Sequence, residues 1–182
     1  MKLNVIVEIA KGSNVKYEYD FVNKRFVVDR ILYGSNFYPM NYGYIENTLD
    51  YDGDPLDVLI VSDQPFAIGC EVPVRILGAM EMIDNGDIDT KLIGVIDCDP
   101  RYKDVNKLED IAKHRLDEIK NFFETYKILQ KKEVKVGNFV NLSKAEEIIE
   151  ETKNLYKKCE QYFLSGNKKE IDRIIKEESK GH

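Results

Sequence analysis

Tryptophan is absent from these 182 residues, histidine occurs twice, cysteine three times and proline five times. The cysteines, Cys70, Cys98 and Cys159, are odd in number, far apart and without a C-x-x-C pair. That excludes a disulfide framework and a cysteine zinc site, and it fits a reducing cytoplasm. No apolar run approaches the roughly 18 residues of a membrane span. The opening MKLNVIVEIAKGSN carries Glu8 inside its short apolar stretch and no small-residue cleavage pattern, so no signal peptide is expected. Positive charge is the minority sign: Lys and Arg total 27 against 33 Asp and Glu, a net charge of -6. An acidic chain is a poor nucleic-acid binder; its charge suits divalent cations, and anionic substrates only where metals mediate. Hydrophobic residues, at 43%, suffice for one sizeable core, which excludes general disorder.

Composition changes near residue 105. Before it, short segments rich in Val, Ile, Tyr and Phe are punctuated by Gly, Pro, Asn and Asp; after it, Gly and Pro nearly vanish. The alternation of LNVIVEI at 3–9 predicts a half-buried strand, and 15–19, 25–29, 56–61, 71–81 and 91–97 are further strand candidates. NGD at 85–87 predicts a hairpin turn. Strands in quick succession predict an antiparallel sheet or small closed barrel. In 107–129, Leu108, Ile111, Leu116, Ile119, Phe122, Phe123, Tyr126 and Leu129 form a helical apolar stripe. Ser143 with Glu146 predicts a capping box opening a helix to about residue 164, SGN at 165–167 a stop, and the segment after it a short further helix. The expectation is one α+β domain spanning 1–182, with 165–182 a C-terminal helical extension.

The densest chemical signal is DYDGDPLD at 50–57, and a second acidic group, DNGDID, lies at 84–89. Gathered carboxylates repel one another and must be solvated, protonated or neutralised by cations, of which Mg²⁺, Mn²⁺ and Ca²⁺ prefer hard oxygen ligands. A DGDP segment is also an ordinary turn. Here it feeds the apolar strand LDVLIV, and Asp57 interrupts that strand, where a charge is costly unless paired or metal-bound. An EF-hand is excluded, because its sixth and twelfth positions would be Pro55 and Val61. Tyr38, Tyr42, Tyr44 and Tyr51 crowd beside the acidic loop, as core aromatics or as O–H donors to an oxyanion. Lys16, Arg30 and Lys91 lie in or beside predicted strands, a placement that ordinarily means the solvent face. His114 is expected to have no catalytic or metal role, and Cys98 a buried structural one.

EIAKGSNVKYEYD at 8–20, VDR at 28–30, FYPMNYGYI at 37–45, DGDPLDVL at 52–59, DNGDIDTKLIGV at 84–95 and FFETYK at 122–127 resemble, in order and spacing, the motifs of the family I soluble inorganic pyrophosphatases. The resemblance implies a five-stranded OB-like β-barrel with flanking helices. It implies Mg²⁺-dependent hydrolysis of pyrophosphate, with Mn²⁺ as a possible substitute, by in-line attack of a water activated between metals. By the same resemblance Asp52, Asp57, Asp84, Asp89 and Glu18 are metal ligands, and Asp54 accepts the proton of the attacking water. Lys16, Arg30, Lys91, Tyr126 and Lys127 bind phosphate, Tyr42 sits beside nucleophile and metals, and Glu8 supports the network. A homohexamer is also implied; the cysteine usage, charge and short apolar runs add the expectation of a cytoplasmic protein with no nucleic-acid or membrane partner.

Some positions depart from the family pattern. Asn85 stands where relatives often carry an acid, the tryptophan usual after the YK motif is missing, and the 127–136 loop is short. Asp50 and Asp87 match no functional position and are expected to be solvated turn residues. Two other functions compete: a non-catalytic metal-binding protein on the same scaffold, and an OB-fold oligonucleotide binder, which would need a basic groove with exposed stacking aromatics.

Overall fold

The computed structural model describes residues 1–179. Its elements in chain order are β1 (Lys2–Ile9), β2 (Val15–Asp20), β3 (Arg25–Ile31), β4 (Asn41–Tyr44), β5 (Asp57–Val61), β6 (Glu71–Asp84), β7 (Asp87–Ile88), β8 (Lys91–Ile96), α1 (Lys113–Thr125), β9 (Val134–Asn141), α2 (Leu142–Ser165) and α3 (Lys168–Glu178). This is an α+β fold: a strand-rich sheet with three helices. All six expected strands are present, and Asn85 and Gly86, both at positive φ, make the β6–β7 turn.

Hydrogen-bonded pairings run β1–β4–β5–β8–β6 and return from β6 to β1; β7 and β9 add to β6, and β2–β3 form a separate hairpin. The strands are not all antiparallel, as their close succession suggested. β5 and β8 are parallel, with Asp57 opposite Lys91, because β6 and β7 lie between them in sequence and supply the crossover. β4 escaped the pattern because all four of its residues are buried and show no alternation. Its Gly43 permits the β1–β4 approach: a Cβ there would lie 2.1 Å from the Ile6 carbonyl oxygen. β9 escaped because Gly137 and Asn138 interrupt it.

The expected helix at 107–129 is shorter. Regular turns span only α1, flanked by single 3₁₀ turns at Leu108–Asp110 and Ile128–Gln130, and Leu129 is 64% exposed rather than in the stripe. The Asp110 carboxylate accepts the N–H groups of Asn106 and Lys107, and Ile111 is extended, which separates the first turn from α1. α2 is capped by Asn141, whose side chain accepts the Lys144 N–H, so Ser143 falls inside the first turn. Gly166, at φ 70°, ends α2, and α3 follows as expected.

Strands and α1 enclose the main core. A second, smaller core lies between α2 and α3 and is built on Leu49, Leu155, Tyr156, Cys159, Ile171 and Ile175. Leu49 thus anchors the base of the acidic loop under the C-terminal helices. Cys98 is exposed and has no buried structural role; it sits in the turn that ends β8.

Candidate active site

Strand register builds the site. Asp57 and Lys91 are the first residues of β5 and β8 and face each other across the parallel pair. The Lys91 ammonium donates to the carboxylates of Asp57 and Asp89 and to Tyr42 Oη at 3.0 Å. It is 3% exposed, so the solvent-face expectation fails for this lysine: two carboxylates offset its desolvation, and the Tyr42 ring lies 5.5 Å away. Tyr42 is held in turn by Tyr38, which packs on Phe122 of α1, and Tyr126 stacks on the same phenylalanine.

The acidic loop is folded by its own backbone. Asp50 N–H donates to the Asp54 carbonyl at 2.7 Å, Gly53 N–H to the Asp50 carbonyl at 3.1 Å, and Asp54 N–H to Asp52 Oδ1 at 3.0 Å. Gly53 takes φ 90°, a conformation only glycine adopts without strain. The loop therefore presents Asp52 and Asp54 at the cavity mouth. Asp50 is not a solvated turn residue: it is 2% exposed, with Oδ1 accepting from Tyr51 N–H at 2.8 Å and Oδ2 from Thr90 N–H at 3.0 Å. No sequence signal linked it to Thr90, because that contact spans β5, β6 and β7. Asp87 is exposed, as expected.

Glu8 of β1 is buried and accepts the Tyr19 N–H at 2.9 Å. Lys16 pairs with Glu18, and Lys127 with Asp84 Oδ2. Of the thirteen candidate residues, all except Arg30 line one cavity of about 160 Å³. A cavity of that size suits a small molecule. Arg30 lies outside the lining, opposite Lys16 in the β2–β3 hairpin, and its charge acts on Lys16 and Lys127. Tyr38, Tyr42 and Tyr126 are buried, whereas oligonucleotide binding needs exposed rings.

Seven carboxyl groups face three ammonium groups in this cavity. Burial, followed by the Asp57 charge, pushes Glu8 up to about 8. Enclosure by the cavity walls, then Asp57, pushes Asp54 up to about 6, although water at the mouth screens it. Asp52 is raised by enclosure and then by Asp89, and Asp57 by burial, with Lys91 opposing. For Lys91, burial favours the neutral amine, but Asp57 and Asp89 together outweigh it and hold the ammonium form. Lys127 is lowered, since burial there exceeds what Asp84 returns.

Two observations fit this donor set to hard divalent cations. Carboxylate charge exceeds ammonium charge, and Asp84 Oδ1 is buried with no hydrogen-bond partner. Among the described residues no three carboxylates converge into a finished metal cluster, and the Lys91 ammonium bridges Asp57 and Asp89.

Fold and cavity define a small α+β protein with a compact, carboxylate-rich cleft. The family model for inorganic pyrophosphatase matches residues 5–157. The chain is 51% identical to the inorganic pyrophosphatase of Malacoplasma penetrans over 182 residues, covering 100% of this chain and 97% of that one. Among solved structures, the inorganic pyrophosphatase of Helicobacter pylori superposes with a TM-score of 0.83 at 44% identity, covering 86% of this chain and 94% of that one. The Thermus thermophilus enzyme superposes with a TM-score of 0.82 at 38% identity, covering 86% and 91% respectively. The chain belongs to the inorganic pyrophosphatase family.

Proposed function

We propose that this protein hydrolyses inorganic pyrophosphate to two orthophosphates with divalent cations, Mg²⁺ foremost and Mn²⁺ as a substitute. The observation that carries the reading is one small cavity in which seven carboxyl groups, three lysines and two tyrosine hydroxyls of the candidate set converge. Membership of the family supports it.

Asp52, Asp57, Asp84, Asp89 and Glu18 would hold the cations. Such ions, when bound, neutralise phosphate oxygens and acidify water. Asp54, at the mouth, accepts the proton of the attacking water; a carboxyl near 6 is suited to a general base at neutral pH. The water oxygen forms a bond to one phosphorus as that phosphorus loses its bond to the bridging oxygen, which leaves with the electron pair on the second phosphate. Lys16, Arg30, Lys91, Tyr126 and Lys127 bind and orient the two phosphates, Tyr42 donates its O–H beside the attacking water, and Glu8 supports the network. Beyond that proton transfer, such catalysis is mostly positioning and charge neutralisation. On this reading the strand ring is an OB-like barrel, residues 1–182 are one functional unit with 165–182 a C-terminal extension, and the enzyme is a cytoplasmic homohexamer.

Phosphate release from pyrophosphate by the purified protein tests the proposal, with millimolar Mg²⁺, with EDTA, and with ATP as control substrate. Rapid Mg²⁺-dependent release with ATP nearly untouched is expected. Folded protein that binds Mg²⁺ but releases no phosphate would leave a metal-binding protein without catalysis.

A further inference from the structure

We propose that Asp50 is a positioning residue for the cation site, tying the loop that carries Asp52 and Asp54 to the strand entry that carries Asp89 and Lys91. The inference rests on the metal-ligand roles proposed above. Asp50 stands two residues before Asp52, and its Oδ2 accepts the N–H of Thr90, the residue between Asp89 and Lys91, at 3.0 Å. Oδ1 accepts the Tyr51 N–H at 2.8 Å, and the Asp50 backbone closes the loop through Asp54 and Gly53. Two side-chain bonds and two main-chain bonds thus converge on one residue, which joins the Asp52–Asp54 end of the loop to the second acidic segment as the Lys91 ammonium joins Asp57 to Asp89.

The chemistry selects a carboxylate. Both oxygens meet backbone N–H donors, so both must accept. An asparagine presents one oxygen, and its NH₂ would face a donor, leaving one N–H unsatisfied. Among the described residues Asp50 makes no ion pair, yet it is 2% exposed. The residue therefore serves the cation site by fixing the separation of two ligand segments. Partners of this kind change metal affinity by about 10–100-fold when removed.

The test compares wild type with Asp50→Asn by Mg²⁺ titration calorimetry, by the Mg²⁺ dependence of phosphate release, and by thermal unfolding in EDTA. Mg²⁺ binding is expected to weaken about tenfold or more, and the Mg²⁺ needed for half-maximal release to rise by the same factor. Turnover should recover at saturating Mg²⁺. A purely structural role would lower the unfolding temperature in EDTA and leave Mg²⁺ affinity of the folded protein unchanged, and that result overturns the proposal. If Asp50→Asn does not fold, Asp50→Ser, which keeps one acceptor, carries the same readings. Wild type that neither binds Mg²⁺ nor hydrolyses pyrophosphate would sink the functional reading itself; active wild type matched by its variant sinks only the role of Asp50.

Discussion

The parallel pair β5–β8 carries two regions end to end. From Val58 to Val61, and from Leu92 to Ile96, every side chain or glycine is buried and apolar. One residue earlier, at the same register, Asp57 faces Lys91, enclosed almost as deeply but charged. The apolar end gains free energy from burial itself. The charged end gathers carboxyl groups that burial first, and then their neighbours' charges, push up, so the protein alone does not favour their ionised form. One backbone therefore separates what holds the fold from what the fold is for, and substitutions at the two ends should be read by different measurements.

The largest effect is expected at the charged end. Asp57→Ala should reduce phosphate release by about 10³-fold or more, near 4 kcal/mol in barrier, and weaken Mg²⁺ binding. Unchanged metal affinity in that variant would remove Asp57 from the ligand set. Two residues along, Leu59 is fully buried in the main core. Leu59→Ala should cost about 3 kcal/mol of unfolding free energy by denaturant titration, with turnover close to wild type below the melting transition. A folded Leu59→Ala that had lost turnover would erase the division between the two ends. Asp54→Asn sharpens the division within the site: turnover should fall about 100-fold while calorimetric Mg²⁺ binding persists. Near-normal turnover would show that Asp54 does not take the proton.

How much of this was legible beforehand follows the range of the interactions. Alternation and turn residues revealed six strands, the β6–β7 hairpin and the break before α3, because those signals are local. DGDPLD and the motifs around it revealed twelve residues that line one cavity. Interactions that join distant segments were not legible. From its strand pattern alone Lys91 read as solvent-facing, because the carboxylate of Asp57, which encloses it, comes from β5; only the family resemblance put it with the phosphate-binding residues. Asp50 read as a turn acid because Thr90 lies 40 residues on. β4 carried no alternation, since its two faces are both covered, and Leu129 followed the helical period beyond the point where the helix stops.

Glu8 offers the finest probe of the same contrast, because it belongs to the charged cavity while its strand neighbours Val7 and Ile9 are wholly in the core. Burial, then Asp57, raises its carboxyl from 4.5 to about 8 in the folded protein. The sign of the pH dependence follows directly. Between the unfolded value and about 8 the folded state holds a proton that the unfolded chain has released, so stability falls as pH rises through that window. In EDTA the wild type should therefore lose on the order of 1–2 kcal/mol between pH 6 and 8.5, read from denaturant midpoints at each pH. Glu8→Gln should flatten part of that slope, and Leu59→Ala should lower the curve without changing its slope. Added Mg²⁺ should flatten the slope in wild type, since cations favour the ionised carboxylates that protons otherwise neutralise. An unchanged slope in Glu8→Gln would mean that the remaining carboxyls carry the whole pH dependence, and that the charged region ends at Asp57 without reaching β1.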